Sequence, residues 1–116
     1  MKIFLAGATG AIGRPLIVNL LPQGHHVTGM TSSERGLAIL REIGAQVAVA
    51  NALDAQAVQE AMEQVRPDAV IEELTSLPKH YTPDEMRVAA ERDRNVRLEG
   101  GGNVHNAART SVPADT

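Results

Sequence analysis

Three glycines stand at intervals of three residues near the start of the chain, at Gly7, Gly10 and Gly13. They follow a short apolar run and precede apolar residues at helical spacing, so they lie where a strand turns into a helix. In such a turn the glycines permit a tight bend, a close approach of pyrophosphate to the backbone, and close packing of helix on strand. The N–H groups that open the helix then face an anion. The pattern predicts a dinucleotide site, although a purely structural turn would use the same glycines.

The rest of the sequence predicts the elements that would position this turn. Four short apolar runs predict strands, at residues 2–6, 26–30, 46–50 and 68–74. These runs lack the alternation of a half-exposed strand, which is typical of strands buried on both faces of a parallel sheet. Apolar residues at helical spacing predict helices between them, over residues 11–21, 33–43 and 54–66. The alternation indicates an α/β protein with a doubly wound sheet and right-handed crossovers.

A fourth helix is predicted over residues 83–98, because Thr82 and Glu85 form a capping box at its start. We expect the glycine triplet at residues 100–102 to interrupt this helix. A weaker helical stretch over residues 103–109 would then either continue the helix or stand alone.

The composition excludes several classes of function. The chain has 116 residues, one Tyr, one Phe, no Cys and a net charge of −3. The lack of a basic stripe and of stacking aromatics argues against nucleic-acid binding, and the lack of cysteine excludes thiol chemistry. No stretch is long and apolar enough for a membrane span, and no side chains stand at metal-ligand spacing. We expect a cytoplasmic protein with one domain at residues 1–109 and a disordered tail at residues 110–116.

The sequence GATGAIGRPL around the glycines resembles the extended and atypical short-chain dehydrogenase/reductases. Within that superfamily it is similar to the NAD-dependent epimerase/dehydratase and NmrA-like members. Further similarity lies in the segments GHHVTGMTSS, NALD and DAVI, in the Leu-Thr pair at residues 74 and 75, and in the stretch at residues 99–108. The resemblance implies a Rossmann-like, doubly wound parallel sheet of about four strands. Their order would be 3-2-1-4, with flanking helices and without the later strands of the superfamily.

The resemblance also implies which residues bind a dinucleotide. The first turn would hold the pyrophosphate and ribose through Gly7, Ala8, Thr9, Gly10, Ala11, Ile12 and Gly13. The ends of the second and third strands would contribute Thr31, Ser32, Arg35, Asn51 and Ala52. Asn51 stands where relatives carry an acid beside the adenine, and a carboxamide can still bond the adenine amino edge.

The choice between NADP and NAD depends on the end of the second strand, where an acid would bind the ribose hydroxyls of NAD. No acid precedes Glu34 there, and Arg35 or Arg14 could bind the 2′-phosphate of NADP. These residues favour NADP. The alternative is that both arginines are solvated residues on helix faces.

Catalysis in the resembled superfamily uses a serine or threonine with a Tyr-x-x-x-Lys motif, which passes the proton while hydride moves. Tyr81, the single tyrosine, is followed four residues later by Glu85, so it does not match. We therefore assign no catalytic residue and expect the cofactor-binding part of a larger reductase or epimerase, truncated, frame-shifted or excised. The alternative is a non-catalytic NmrA-like domain that senses NADP or binds a protein partner.

The implied strand order leaves the fourth strand at an edge of the sheet, and an exposed apolar edge invites pairing with another chain. We therefore expect copies of the chain to associate through residues 69–74. Glu72 and Glu73 end this strand, where relatives tend to be apolar, neutral polar or histidine. One of them is either a catalytic acid in the crevice or part of a partly exposed strand end, and we favour the second interpretation.

Overall fold

The computed structural model describes residues 1–9, 13–74 and 94–111. Its sheet has four parallel strands in the order β3-β2-β1-β4. Their bounds are β1 (Lys2–Ala6), β2 (His26–Thr31), β3 (Gln46–Val49) and β4 (Ala69–Glu72). The predicted α/β class and the order 3-2-1-4 are confirmed, and β4 ends two residues earlier than predicted.

Four α-helices flank the sheet in the described part of the chain, and they are α1 (Gly13–Leu20), α2 (Glu34–Glu42), α3 (Ala55–Val65) and α4 (Gly101–Ser111). Side chains fix where two of them begin, because Ser33 Oγ accepts a hydrogen bond from the Gly36 N–H and Asp54 Oδ1 accepts one from the Ala57 N–H. Arg66 ends α3 in a left-handed conformation just before Pro67, as expected for a residue that cannot continue a helix into proline.

The core has two halves, one on each face of the sheet. On one face the strands pack against α1 and α2, through Ile3, Leu5, Ala8, Ile17, Val27 and Leu40. On the other face they pack against α3 and α4, through Phe4, Ala6, Met30, Val58, Met62 and Val104. Successive residues of β1 serve opposite faces, which is why this central strand is apolar without alternation.

The glycine triplet does not interrupt the last helix, so that expectation is wrong. Val96–Gly100 forms a π-helical turn that continues directly into α4. Gly100 is buried, and a Cβ there would lie 3.1 Å from the Ala52 Cβ and 3.1 Å from a Leu74 methyl. The missing side chain lets the helix approach the loop after β3 and the end of β4. This packing outweighs the low helix propensity of glycine.

The carboxyl end of α4 takes in residues 110 and 111, the first two residues of the expected tail. Thr110 Oγ1 accepts a hydrogen bond of 2.8 Å from Gln59 Nε2 and donates one of 3.1 Å to the Ala107 carbonyl. The bond from Gln59 joins the end of α4 to α3, and the bond to Ala107 lies within α4. Residues 112–116 and the predicted start of the helix at residue 83 lie outside the described residues.

Replacing Leu40 by alanine tests the packing of α2 on the sheet. Leu40 is 0% exposed, and its two methyls lie 2.6 Å and 2.9 Å from the position that a Cβ on Gly29 would take. Truncation of Leu40 therefore leaves a cavity between the helix and the strand. We expect the free energy of unfolding, measured with urea, to fall by about 2–5 kcal/mol. Val18→Ala on α1 is the matched control, because Val18 is 51% exposed, and it should change the free energy by less than about 0.5 kcal/mol. Equal effects of the two variants would contradict this packing.

Candidate functional site

The carboxyl ends of the four parallel strands meet at one edge of the sheet. The chain moves outward from β1 to β3 and then returns to place β4 on the other side of β1. In open α/β sheets a crevice forms where the strand order reverses in this way, and ligands bind there. The loops after the strands therefore decide what this edge can hold.

The turn after β1 depends on two glycines for its shape. Gly7 has a φ of +81°, in the left-handed region, and a Cβ there would overlap the backbone carbonyl of Glu73. A Cβ on Gly13 would overlap the Gly7 carbonyl and lie 3.0 Å from the backbone of Ala8. The two glycines let the end of β4 and the start of α1 pack against the turn. Gly10, Ala11 and Ile12 lie outside the described residues.

A cleft of about 240 Å³ opens between the turn after β1 and the start of α2. It is lined by Thr9, Arg14, Ser33, Arg35, Gly36 and Ile39. The structure thus brings together Thr9 and the two arginines, Arg14 and Arg35, that the sequence offered for a 2′-phosphate. Two guanidinium groups and the positive end of α2 make this cleft suited to an anion.

Thr31 ends β2 and Ser32 follows it, and neither lines the cleft. Thr31 is buried, and its Oγ1 accepts a hydrogen bond of 3.3 Å from the Ser33 N–H. A Cβ on Gly36 would overlap that same Oγ1, so Gly36 lets α2 begin directly against Thr31. Thr31 therefore supports the cleft from beneath, while Ser32 is exposed beside it.

Sequence reasoning missed Ser33 and Gly36 as residues of the cleft. Ser33 Oγ accepts the Gly36 N–H at 2.9 Å, which caps α2 and turns its first residues toward Thr9 and Arg14. The signal was present, since a serine just before a helical run is a common N-cap. By contrast, no pattern in the sequence indicated that Gly36 packs against Thr31.

The loop after β3 is held by α4. Asn51 is exposed, and its Oδ1 accepts a hydrogen bond of 2.9 Å from the Leu53 N–H. The Ala52 carbonyl accepts a bond of 2.8 Å from Asn103 Nδ2. Asn51 and Ala52 lie at the same edge of the sheet as the cleft without lining it. The oxygen of Asn51 is therefore engaged in its own turn.

The end of β4 carries the two adjacent glutamates. Glu72 is exposed, and its Oε1 accepts a hydrogen bond of 2.7 Å from the Leu74 N–H. The Glu73 N–H donates to the Ala6 carbonyl at 2.9 Å, which keeps the chain on β1 for one more residue. Exposure of Glu72 agrees with the interpretation of a partly exposed strand end.

In residues 1–9, 13–74 and 94–111 no group of three or more His, Asp or Glu side chains could hold a metal ion. Within the same ranges no helix has the length and apolar character needed to cross a membrane.

Comparison with known proteins gives one family match and several relatives. The model of a family described as NAD(P)H-binding matches residues 7–110. The chain is 34% identical over 111 residues to the 3-diazoavenalumate denitrifying reductase of Streptomyces sp, covering 96% of this chain and 34% of the relative. It is 33% identical over 76 residues to a photosystem II assembly factor of Synechocystis sp., covering 66% of this chain and 23% of the relative. The chain therefore spans about a third or less of these relatives' length.

Solved structures give the same fold. A UDP-glucose-4-epimerase from Stenotrophomonas maltophila, solved with bound NAD, superposes with a TM-score of 0.77 at 19% identity, covering 96% of this chain and 34% of that chain. The enzyme WbmG of Bordetella bronchiseptica, in complex with NAD, has a TM-score of 0.73 at 26% identity, with the same coverage of 96% and 34%. The fold of this chain thus occurs in proteins that have been solved with bound NAD.

Gly7→Ala and Gly24→Ala separate the packing role of the first glycine from its backbone conformation. Both glycines have positive φ, at +81° and +87°, but a Cβ on Gly24 would meet nothing within 4 Å. We expect Gly24→Ala to cost about 1 kcal/mol of unfolding free energy, from backbone strain alone. Gly7→Ala should cost about 3 kcal/mol or more, because it adds the overlap with Glu73. Similar losses in urea unfolding would show that the end of β4 does not constrain the turn.

Proposed function

The chain belongs to the NAD(P)H-binding family and is an NAD(P)-binding domain of the short-chain dehydrogenase/reductase and epimerase superfamily, and on this premise we propose that it binds NADP in preference to NAD. The observation that carries the preference is the cleft shared by Arg14 and Arg35. NADP differs from NAD by one phosphate on the adenosine ribose. Selectivity therefore requires a cationic group where that phosphate binds.

The residues of the cleft fit a phosphate group. Guanidinium groups bind phosphate oxygens through paired, charge-assisted hydrogen bonds, and two arginines from different helices can approach the phosphate from two sides. The hydroxyls of Thr9 and Ser33 also line the cleft. The first turn of α2 adds the positive end of its dipole. No acid stands at residues 31–33, where a carboxylate would bind the ribose hydroxyls of NAD.

The remaining predicted residues complete the proposed site. In this proposal Gly7, Ala8 and Gly13 shape the turn that carries the pyrophosphate, with Gly10, Ala11 and Ile12 on the same turn. Asn51 and Ala52 then lie on the adenine side, at the end of β3. When bound, the nicotinamide of the dinucleotide would supply hydride transfer. The residues of the turn and of the end of β3 would hold and orient the dinucleotide.

We further propose that the chain's own role is cofactor binding without catalysis. The single tyrosine, Tyr81, is followed by Glu85 rather than by lysine at the motif position. The chain also spans only 34% of its reductase relative. Proton transfer to a substrate would then depend on residues outside this stretch of sequence.

A second candidate function is a non-catalytic domain that binds a protein partner. One relative, 33% identical over 76 residues, is named as an assembly factor and not as an enzyme. In this case NADP would act as a ligand that stabilises the domain or regulates its partner. Binding of NADP is common to both candidates, so its measurement comes first.

We also propose that copies of the chain associate through β4. Within the described sheet β4 pairs with β1 alone, and its residues Ala69, Val70 and Ile71 are half-buried. A second copy could add its own β4 to this edge and extend the sheet. The charge of Glu72 at the strand end would limit how far such pairing extends.

Arg35→Ala tests the preference for NADP by calorimetric titration with NADP⁺ and NAD⁺. Loss of a charge-assisted bond to the 2′-phosphate should weaken NADP⁺ binding by at least about tenfold and change NAD⁺ binding by less than about twofold. Arg41→Ala is the matched control, because Arg41 lies exposed in the last turn of the same helix. Equal weakening of both dinucleotides, or none, would contradict the role of the cleft. Failure of the unmodified chain to bind either one would refute the proposed function.

Ala69→Lys tests association through β4 by light scattering from micromolar to millimolar chain. A lysine at this edge repels its copy in a second chain, so the variant should remain monomeric where the unmodified chain forms dimers. Val49→Lys is the control at the opposite edge, since Val49 of β3 is 68% exposed, and it should dimerise normally. An unmodified chain that is monomeric at every concentration would rule out this association.

A further inference from the structure

We propose that the Glu72 carboxylate makes the site prefer the oxidised dinucleotide, whose nicotinamide ring is positively charged, over the reduced one. The inference rests on the proposed function, because it requires the dinucleotide to bind at this edge of the sheet. It concerns a residue that stands apart from the arginine cleft and takes no part in the choice between NADP and NAD.

The topology determines which half of the dinucleotide meets β4. The arginine cleft lies between the turn after β1 and the start of α2, so a 2′-phosphate bound there fixes the adenosine half over β1 and β2. A dinucleotide crosses the crevice at the point where the strand order reverses, which here lies between β1 and β4. The nicotinamide half therefore extends over the end of β4.

Glu72 is the last residue of that strand. It stands opposite Ala6 in the parallel register, one residue before Gly7. Its side chain is exposed, and its Oε1 accepts the Leu74 N–H at 2.7 Å. This bond holds the carboxylate at the carboxyl end of the strand.

The last helix leaves room for the carboxylate. A Cβ added to Gly101, the first residue of α4, would lie 3.4 Å from Glu72 Oε2. Any larger side chain at that position would extend into the space beside the carboxylate. The glycine of α4 and the hydrogen bond from Leu74 together keep a negative charge at the carboxyl end of β4, beside the start of α4.

A fixed charge can discriminate between the two redox forms because they share every group except the ring. The phosphates are the same in both forms, so their repulsion from Glu72 cancels in the ratio of the two affinities. The attraction of the Glu72 carboxylate to the cationic ring of the oxidised form does not cancel, so it alone changes this ratio. A pair of unit charges about 4 Å apart in water changes an equilibrium constant by about fivefold.

A merely structural role for Glu72 makes a different prediction. If the side chain only accepts the Leu74 N–H, its loss changes stability and affects both redox forms equally. Glutamine retains an oxygen that can accept this bond while removing the charge. Glu72→Gln therefore separates the two roles.

The test compares calorimetric Kd values for NADP⁺ and NADPH in the unmodified chain, Glu72→Gln and Glu42→Gln. Glu42 is exposed in the last turn of α2, at the opposite end of the helix from Arg35 and Gly36, and its variant makes the same charge change. We expect the ratio of the Kd of NADPH to that of NADP⁺ to fall about fivefold in Glu72→Gln and to stay constant in Glu42→Gln.

Two results would overturn the inference in distinguishable ways. If both redox forms bind and Glu72→Gln leaves their ratio unchanged, Glu72 does not act on the ring and the proposed function stands. If the unmodified chain binds neither form, the proposed function fails and the inference fails with it. Urea unfolding of each variant confirms that the comparison is made between folded chains.

Discussion

The structure depends on the close contact between the turn after β1 and the end of β4. Gly7 presents its bare Cα to the Glu73 carbonyl, and Gly13 in turn packs on the Gly7 carbonyl. A side chain at either position would separate β4 or α1 from the central strand. Because β1 pairs with both β2 and β4 and its alternate residues enter both halves of the core, this contact aligns the whole carboxyl edge of the sheet.

A second close approach, of α2 to β2, gives that edge its cleft. A Cβ on Gly29 would lie 2.6 Å from a Leu40 methyl and 2.8 Å from the Ala8 Cβ, so glycine lets α2 lie close to the sheet. At the start of the same helix Gly36 contacts the buried Thr31 hydroxyl. Arg35 is thereby carried to the cleft that Arg14 also lines. The two arginines therefore line one cleft because α2 lies close to the sheet, as well as because both residues are arginines.

Most of the strands and helices and the turn after β1 were predictable, because strand burial, helical spacing and the glycine spacing are local patterns in the sequence. The order 3-2-1-4 came from the family resemblance, and the structure bears it out. The errors have a common cause in contacts between residues distant in sequence. Gly100 lies in the helix where Ala52 and Leu74 pack so close that a side chain would crowd them, and no local pattern reveals that contact. Likewise, neither the burial of Thr31 beneath Gly36 nor the bond from Asn103 to the Ala52 carbonyl follows from spacing.

The proposed function requires NADP to bind with its 2′-phosphate in the cleft between the turn after β1 and the start of α2. The most direct measurement is the titration of the ¹⁵N-labelled chain with NADP⁺, followed by the backbone amide shifts. Binding there should produce saturable shifts that are largest at Thr9, Arg14, Ser33 and Gly36, four of the residues that line the cleft, and small shifts along α3. Shifts confined to α3 and the edge of β3, or no shifts at millimolar NADP⁺, would contradict it.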